Sequence, residues 1–277
     1  MSNVSLIQLI SCNRVDENFA RIEDLLTQLQ PKSKQWVLLP ENAIVFGDKQ
    51  DYLNHSEALG NGPIQARLSK LAQAYDIYLV CGSLPIKSPE SSRVYTSSLV
   101  FSPQGELVQH YHKLHLFDAL VADGKGAYKE SATFKPGNDI ACVSTADFNV
   151  GLTICYDLRF PALFQQLRMA GAQVIMVPAA FTYVTGKAHW LPLLQARAIE
   201  TQCYIVAANQ GGQHSFERQT WGHSCIIDPW GEVLGQLTTG EGVLSAPIDL
   251  AKLAQVRHRM PILEHQRIVG QRLNEKE

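Results

Sequence analysis

One cysteine of this 277-residue chain stands where a nucleophile is typically presented. The apolar and largely β-branched run Val150–Ile154 predicts a buried strand that ends directly before Cys155. Pro161 and the hydrophobic spacing of Ala162–Ala170 predict a helix shortly after it. Such a strand-to-helix elbow pushes a side chain out of the sheet, and nearby backbone N–H groups favour a thiolate over a thiol. The pattern therefore indicates thiol chemistry at Cys155.

The alternative for Cys155 is a small buried side chain without chemistry, which is the usual state of a free cysteine. Three residues that follow it, Tyr156, Asp157 and Arg159, place polar and charged groups where a packed core would have apolar ones. These neighbours favour the nucleophile, and the local pattern alone leaves both interpretations open.

Two other charged residues adjoin predicted strands. Gln35–Leu39 predicts a buried strand, and Glu41 follows it at the carboxyl end, where open α/β sheets place their ligands. Lys113 lies within a strand predicted at Leu107–Leu116, between side chains with a half-buried pattern. A solvated loop glutamate and an edge lysine with its ammonium in water are the alternatives. The flanking residues favour a functional lysine, whereas Glu41 taken alone leaves both interpretations open.

Two stretches of the sequence are predicted to be loops. Asp118–Gly137 shows no clear period and contains Gly124, Gly126 and Glu130. At about twenty residues it is long for a segment without structure, and such loops are usually lids or binding loops. The Pro- and Ser-rich stretch Ser83–Ser92 predicts a surface loop.

Along the rest of the chain, hydrophobic periodicity alternates between strands and helices. Strands are predicted at Val4–Ile10, Ile77–Cys81, Val94–Phe101, Ile140–Ser144, Gln173–Val177, Tyr204–Ala208, Trp221–Asp228, Glu232–Leu237 and Gly242–Ile248, and helices at Asp16–Gln30, Pro63–Tyr75, His189–Thr201 and Leu250–His258. The order strand, helix, strand, helix, strand and hairpin occurs before the 118–137 loop and again after it. Two such layers predict an α/β fold, a four-layer α-β-β-α sandwich. We find no linker, so a single domain is expected over residues 1–277.

The composition restricts the partners. A formal net charge of -2 and a pI near 6.5 provide no basic surface for nucleic acid or for a membrane. The first apolar run lacks the basic lead-in of a signal peptide, and we find no segment long and apolar enough to span a bilayer. A small molecule is therefore the expected partner.

The cysteines and histidines suggest neither disulfides nor a metal site. The six cysteines include no close pair, which favours reduced thiols in the cytoplasm. His110, His112 and His115 lie close together, but strand alternation separates His115 from the other two, and no acidic ligand is spaced to complete a site.

Taken together, three segments resemble the nitrilase superfamily of carbon–nitrogen hydrolases. They are Glu41 after its strand, His-Lys-Leu-His-Leu-Phe around Lys113, and Cys-Tyr-Asp-Leu-Arg-Phe-Pro from Cys155, and the resemblance extends to about Arg267. It implies the nitrilase-type sandwich, no cofactor, a homodimer, and a catalytic set of Glu41, Lys113 and Cys155. Glu130, in Tyr-Lys-Glu-Ser, matches the superfamily's second, supporting glutamate.

The resemblance also implies a chemistry. Cys155 would form a thioester with the acyl part of an amide, and Glu41 would move the proton from the thiol to the leaving nitrogen and later activate water. Lys113 and the backbone N–H of Tyr156 would hold the developing oxyanion. Glu130 would position Lys113 or the substrate nitrogen.

Within the superfamily, the segments Gly186–Trp190, Ala196–Tyr204 and Trp221–Ser224 resemble the deaminated glutathione amidases and, next, the omega-amidases. This resemblance implies a substrate amide that carries carboxylates. The expected substrate contacts are Tyr156, Arg159, Phe181, Lys187 and His189, and Arg218 is a further basic candidate. Lys187 departs from the proline that many relatives have at this position.

Two other classes of function compete with an amidase. A non-catalytic scaffold of the same fold would be expected to lack one of the three catalytic residues, and all three are present. A Cys–His hydrolase would need a histidine base, for which His112 and His115 are candidates.

Overall fold

The computed structural model describes residues 2–122, 126–214 and 218–268. Within these ranges seven strands form a first sheet, in which β1, β2 and β3 run parallel. In order across the sheet its strands are β15 (Gly242–Ile248), β1 (Ser2–Gln8), β2 (Trp36–Leu38), β3 (Tyr78–Val80), β5 (Val94–Phe101) and β4 (Leu84–Lys87), with β6 (Leu107–His112) also paired to β5.

A second sheet of six strands in the described residues has a parallel centre. In order, its strands are β14 (Val233–Gln236), β13 (Cys225–Ile227), β12 (Tyr204–Asn209), β11 (Val174–Ala179), β10 (Asn149–Leu152) and β9 (Ala141–Ser144). A separate hairpin consists of β7 (Asp118–Val121) and β8 (Gly126–Lys129). The helices are α1 (Val15–Leu29), α2 (Lys49–Asn54), α3 (Pro63–Ala74), α4 (Pro161–Met169), α5 (Tyr183–Thr201), α6 (Leu250–Arg259) and α7 (Ile262–His265).

The alternation of side chains along a strand shows how the layers are stacked. In β2, Trp36 and Leu38 belong to the core shared with the second sheet, whereas Val37 and the following Leu39 belong to the core shared with α1 and α3. The helices α4 and α5 bury their apolar faces in the first of these cores, against the second sheet. Both sheets are therefore covered by helices on their outer faces, and the predicted four-layer α-β-β-α sandwich is confirmed.

The stretch predicted as a surface loop at Ser83–Ser92 contains a strand. Leu84–Lys87 forms β4, which pairs antiparallel with β5 and lies at the end of the sheet order. Pro85 lacks an N–H for the strand ladder, so it is tolerated at such a sheet edge. The proline and the following serines concealed the strand, and the prediction was wrong for these four residues.

The predictions around Lys113 and the 118–137 loop also need correction. The strand β6 ends at His112, so Lys113 lies just beyond it and the strand predicted through Leu116 is too long. The 118–137 stretch contains the β7–β8 hairpin and a 3₁₀ turn at Glu130–Ala132, apart from residues 123–125, which lie outside the described residues. These strands are largely exposed or half-buried, and for that reason they lack a strong hydrophobic period.

Three helices differ from the sequence-based expectation, and one of them, the four-residue α7, was not predicted. The helix predicted at His189–Thr201 begins earlier, at Tyr183, because the Thr182 side chain caps its N-terminus by accepting the Thr185 backbone N–H. Pro192 lies inside this helix, where a proline usually marks a boundary. The short helix α2 was missed, although Asp48 and Asp51 form a capping box at its start.

Candidate active site

A buried lysine occupies the centre of the site. Lys113 is 2% exposed, and its Nζ donates to Glu41 Oε1 at 2.8 Å and to the Glu130 carboxylate at 2.9 and 3.0 Å. Burial by itself lowers the pKa of a lysine, but the charges of Glu130 and Glu41 outweigh it and hold the pKa of Lys113 well above its usual value. The side chain is therefore a fixed cation at neutral pH.

Glu41 reaches this lysine because its backbone is held tightly after β2. Gly82, with φ of +74°, lies so close that a Cβ there would be 1.9 Å from the Pro40 carbonyl oxygen. Only glycine permits that approach. On the other side, Gln210 Nε2 donates to the Glu41 carbonyl oxygen at 2.9 Å. The carboxylate is thus positioned by contacts from both halves of the chain.

Glu130 lies at the start of the 3₁₀ turn that follows β8. Its Oε2 accepts the backbone N–H of Phe117 at 2.6 Å in addition to the Lys113 ammonium. Burial raises the pKa of Glu130, and the positive charge of Lys113 opposes that increase. The β7–β8 hairpin, which the sequence did not reveal, therefore leads directly into one of the two carboxylates that hold Lys113.

Cys155 begins a 3₁₀ turn, Cys155–Arg159, with a left-handed φ of +48°. Few residues other than glycine adopt this conformation, and it is a form of backbone strain often found at functional sites. The α-helix starts only at Pro161. The predicted elbow is present, but a 3₁₀ turn separates the cysteine from the helix.

The expectation that the elbow favours a thiolate is wrong for the protein without substrate. Burial raises the pKa of Cys155 well above its usual value, and the negative charge of Glu41 raises it further. Lys113 and a hydrogen bond from the Ala180 backbone N–H act in the opposite direction without reversing the shift. The direction of the shift favours the protonated thiol, which is hydrogen-bonded to the Glu41 side chain.

A fully buried aspartate connects the cysteine turn to the lysine segment. Asp157 Oδ2 accepts the Ile154 backbone N–H and the Tyr111 hydroxyl, each at 2.8 Å. Asp157 Oδ1 accepts the His115 backbone N–H at 3.1 Å and lies 2.7 Å from His115 Nδ1. The sequence indicated only that Asp157 was an unusual polar neighbour. Its function in joining residues 111–115 to the turn depends on tertiary contacts that no local pattern records.

These groups open on one cavity of about 200 Å³. Its lining includes Glu41, Lys113, Glu130 and Cys155, together with three of the predicted substrate contacts, Tyr156, Arg159 and Phe181. Further lining groups that the prediction missed are Tyr52, Tyr128, Thr182 and Thr185.

Two predicted substrate contacts lie outside this lining. Lys187 and His189 are exposed on α5, and His189 reaches the site only through Arg159, whose guanidinium nitrogens lie 3.3 Å from His189 Nδ1. Thr185 lines the cavity, and a residue two positions further along a helix points to nearly the opposite side. Direct substrate contact by Lys187 therefore has no support in its placement.

The two histidines considered as the base of a Cys–His hydrolase also lie outside the cavity lining. His112 lies 2.7 Å from the Ser97 hydroxyl, and burial lowers its pKa to about 4. His115 is bound to Asp157 and stacked on Phe160. Neither histidine is among the residues that line the cavity.

The described residues contain no group of three His, Cys, Asp or Glu side chains arranged to hold a metal ion. Across the same ranges, every helix is too short or too polar to cross a membrane.

The sandwich and the cavity define the class of protein, and a comparison with known families agrees with them. The family model for carbon–nitrogen hydrolases matches residues 3–258. The chain belongs to this family, and the predicted resemblance to the nitrilase superfamily is confirmed.

Individual relatives and a solved structure give a more specific comparison than the family model does. The chain is 45% identical over 270 residues to a deaminated glutathione amidase from Yersinia enterocolitica, covering 97% of this chain and 94% of the relative. It is 36% identical over 266 residues to an omega-amidase from Bos taurus, covering 95% and 94%. The crystal structure of the Caenorhabditis elegans NitFhit protein superposes with a TM-score of 0.88 at 36% identity, covering 96% of this chain and 65% of that longer protein.

Proposed function

We propose that this protein is a thiol-dependent amidase that hydrolyses the amide of deaminated glutathione to 2-oxoglutarate and cysteinylglycine. The observation that carries the proposal is the buried Lys113 ammonium, held between Glu41 and Glu130 in the cavity that also contains Cys155. A cation fixed beside a thiol and a carboxylate suits a reaction in which negative charge develops on a carbonyl oxygen.

The first half-reaction forms a thioester. As Cys155 Sγ attacks the amide carbonyl carbon, Glu41 takes the thiol proton and delivers it to the nitrogen, so that the C–N bond breaks and a neutral amine leaves. Because the pKa of Cys155 is raised, this proton transfer accompanies the attack instead of preceding it. Lys113 Nζ and the Tyr156 backbone N–H stabilise the oxyanion, and one such donor contributes about 3 kcal/mol.

The second half-reaction consumes water. Glu41 takes a proton from a water molecule, the oxygen adds to the thioester carbonyl, and the C–S bond breaks. The proton returns to sulfur and the carboxylic acid is released. Glu130 holds the Lys113 ammonium in place through both steps, as its two hydrogen bonds to Nζ indicate.

The substrate assignment draws on the relatives and on Arg159. The guanidinium of Arg159 lies over Tyr156 at 5.8 Å and Phe181 at 5.4 Å, and in the described part of the chain it has no carboxylate partner. A cation in this state, four residues from the nucleophile, is suited to a carboxylate of the acyl part of the substrate. The Yersinia relative is named for the same reaction at 45% identity.

An omega-amidase is the second candidate, because a relative with that name is 36% identical over nearly the whole chain. Its substrate, 2-oxoglutaramate, has the same acyl part but releases ammonia. The decisive measurement is kcat/KM on deaminated glutathione against 2-oxoglutaramate, with both products identified. A preference of about tenfold or more for 2-oxoglutaramate would assign the protein to the omega-amidases.

A scaffold of the same fold without activity is the remaining alternative. Such a protein has no need to keep a buried lysine between two carboxylates beside a cysteine, since burying these charges is costly unless each is paired. Hydrolysis of neither amide, with no acyl adduct in intact-protein mass spectra, would favour the scaffold.

We propose in addition a single domain, a homodimer and a cytoplasmic location. All six cysteines are free, in keeping with a reducing compartment. Leu163 and Phe164, the large apolar residues of α4 nearest to the Cys155 turn, are buried within the protomer and are not available to a partner. Exposed apolar residues on neighbouring elements, Met169, Ile199, Met260 and Leu263, are the better candidates, and sedimentation at micromolar concentration tests them.

A further inference from the structure

A second arginine enters the cavity from a different wall. Arg218 lines the cavity, and its guanidinium lies over the rings of Phe46 at 4.7 Å and Tyr128 at 5.5 Å. Phe46 belongs to the segment that follows Glu41, and Tyr128 lies in β8, two residues before Glu130. Arg218 therefore packs on the two segments that supply the carboxylates of the site. Arg159, by contrast, belongs to the turn of the nucleophile.

The residues that the structure describes provide this guanidinium with few acceptors. Within them its Nε is buried without a hydrogen-bond partner, and the contact of Nη2 with the Ala180 carbonyl oxygen is long, at 3.5 Å. Among residues 2–122, 126–214 and 218–268, no carboxylate lies within ion-pair distance of Arg218. Stacking on rings fixes the plane of an arginine but leaves its charge unbalanced. A carboxylate is the ligand that such a planar cation binds best.

Ala180 locates Arg218 relative to the reaction. The Ala180 carbonyl accepts from Arg218, and the N–H of the same residue donates to the Cys155 sulfur. The guanidinium and the Cys155 sulfur therefore contact the backbone of the same residue. Burial raises the pKa of Tyr52, a residue of the cavity lining. The positive charge of Arg218 lowers this pKa, whereas the negative charges of Glu41 and Glu130 raise it.

We propose that Arg218 binds a carboxylate of the leaving amine, and that it thereby selects amides whose leaving group is an anionic, peptide-like amine over amides that release ammonia. The inference rests on the proposed function, in which Glu41 protonates the leaving nitrogen. Because Glu41 delivers that proton, the leaving group lies along the Glu41 wall, where Arg218 stacks. The acyl carboxylate lies toward Arg159. The two arginines thus bind the carboxylates at the two ends of one substrate.

A comparison of two substrates tests this without any change to the protein. One is deaminated glutathione, and the other is the same molecule with its glycine carboxylate capped as a carboxamide. Wild-type kcat/KM is expected to be higher for the free carboxylate by about tenfold or more, the usual effect of leaving a charged site group without its partner. Equal rates on the two substrates would overturn the inference while leaving the proposed function intact. Hydrolysis of neither would overturn both.

The variant Arg218→Met tests whether Arg218 causes the preference for the free carboxylate. Its kcat/KM is expected to fall at least about tenfold further on the free carboxylate than on the capped substrate, and Arg218→Lys is expected to recover part of the difference. An equal loss on both substrates would mean that Arg218 only packs against Phe46 and Tyr128, and would overturn the assignment. Arg259→Met, an exposed arginine at the end of α6, is the matched control and should change neither rate.

Discussion

The two sheets contribute to the cavity in different ways. The first sheet leads into Glu41 and Lys113, and the separate β7–β8 hairpin leads into Glu130; hydrogen bonds of 2.8 to 3.0 Å join these three groups. The second sheet supplies Cys155, a neutral thiol on a left-handed turn. One side is a network of ion pairs formed by the protein's own side chains, and the other is a thiol whose pKa responds to that network. Burial contributes most to the raised pKa of Cys155, and the opposite sheet adds to it through the charge of Glu41.

Removing the nucleophile should have the largest effect. Cys155→Ala is expected to reduce turnover by about 10⁴-fold or more, since no other group can form the thioester. Cys203→Ala is the control, because that cysteine is buried away from the cavity lining. Intact-protein mass spectrometry during turnover should show an acyl adduct on the wild type and none on Cys155→Ala. An adduct that mapped to another cysteine would contradict the assignment.

Breaking the ion network should affect both activity and stability. Lys113→Met leaves Glu41 and Glu130 buried without their cation, which is expected to lower the free energy of unfolding by about 3 kcal/mol. Turnover should fall by about 10²-fold or more, since an oxyanion donor is lost. Urea unfolding and kcat measure the two effects. Unchanged stability would mean that the carboxylates are protonated or hydrated in the variant.

The hydrogen bonds of Asp157, which join the lysine segment to the cysteine turn, should contribute less to stability than the Lys113 ion network, but still measurably. Asp157→Asn replaces one carboxylate oxygen, an acceptor, by an N–H₂ group that faces donors, and is expected to destabilise the fold by about 2 kcal/mol. Tyr111→Phe removes a single hydrogen bond and should cost about 1 kcal/mol. Urea unfolding of both variants provides the comparison. If Tyr111→Phe had the larger effect, Asp157 would not be the main connection.

The pH dependence of Cys155 alkylation measures the influence of Glu41 on the pKa of Cys155. Because Glu41 raises the pKa of Cys155, Glu41→Gln should lower that pKa, although burial will still keep it elevated. At a fixed pH below the pKa, a lower pKa means more thiolate, so iodoacetamide should alkylate the variant faster even though amide turnover is lost. The rate of alkylation against pH measures the shift. A profile displaced to higher pH would contradict the stated influence of Glu41.

The smallest effect is expected outside the cavity. Lys187→Ala removes an exposed side chain that does not line the site, and kcat/KM should change by less than about twofold, as for most surface substitutions. Arg159→Ala is the comparison from within the lining, and its loss should be at least about tenfold. A larger loss for Lys187→Ala would restore the substrate contact suggested by the sequence.

The sequence revealed the parts of the site that follow strongly buried strands. Glu41 and Cys155 were found because each ends an apolar run, and the burial pattern of β2 and β10 is continuous. Lys113 was recognised although its strand was drawn too long. The resemblance to a known superfamily then connected the three residues, which spacing alone could not do.

What the sequence could not show depends on contacts between distant segments. Asp157 gains its importance from Tyr111 and His115, more than forty residues away along the chain. The raised pKa of Cys155 follows from burial and from Glu41, and no local pattern reports either. The β7–β8 hairpin is half-exposed and carries little hydrophobic signal, yet it leads directly into Glu130.

The raised pKa of Cys155 also bears on the chemical durability of the enzyme. Peroxide and soluble electrophiles attack thiolates, and cysteines that sense oxidants are accordingly exposed and have a low pKa. Burial and the charge of Glu41 give this nucleophile the opposite character between turnovers. Because the raised pKa disfavours the thiolate, an oxidant in solution meets a thiol that is slow to react. The raised pKa that joins the first proton transfer to the attack in the proposed mechanism is therefore also expected to slow the oxidation of the idle enzyme.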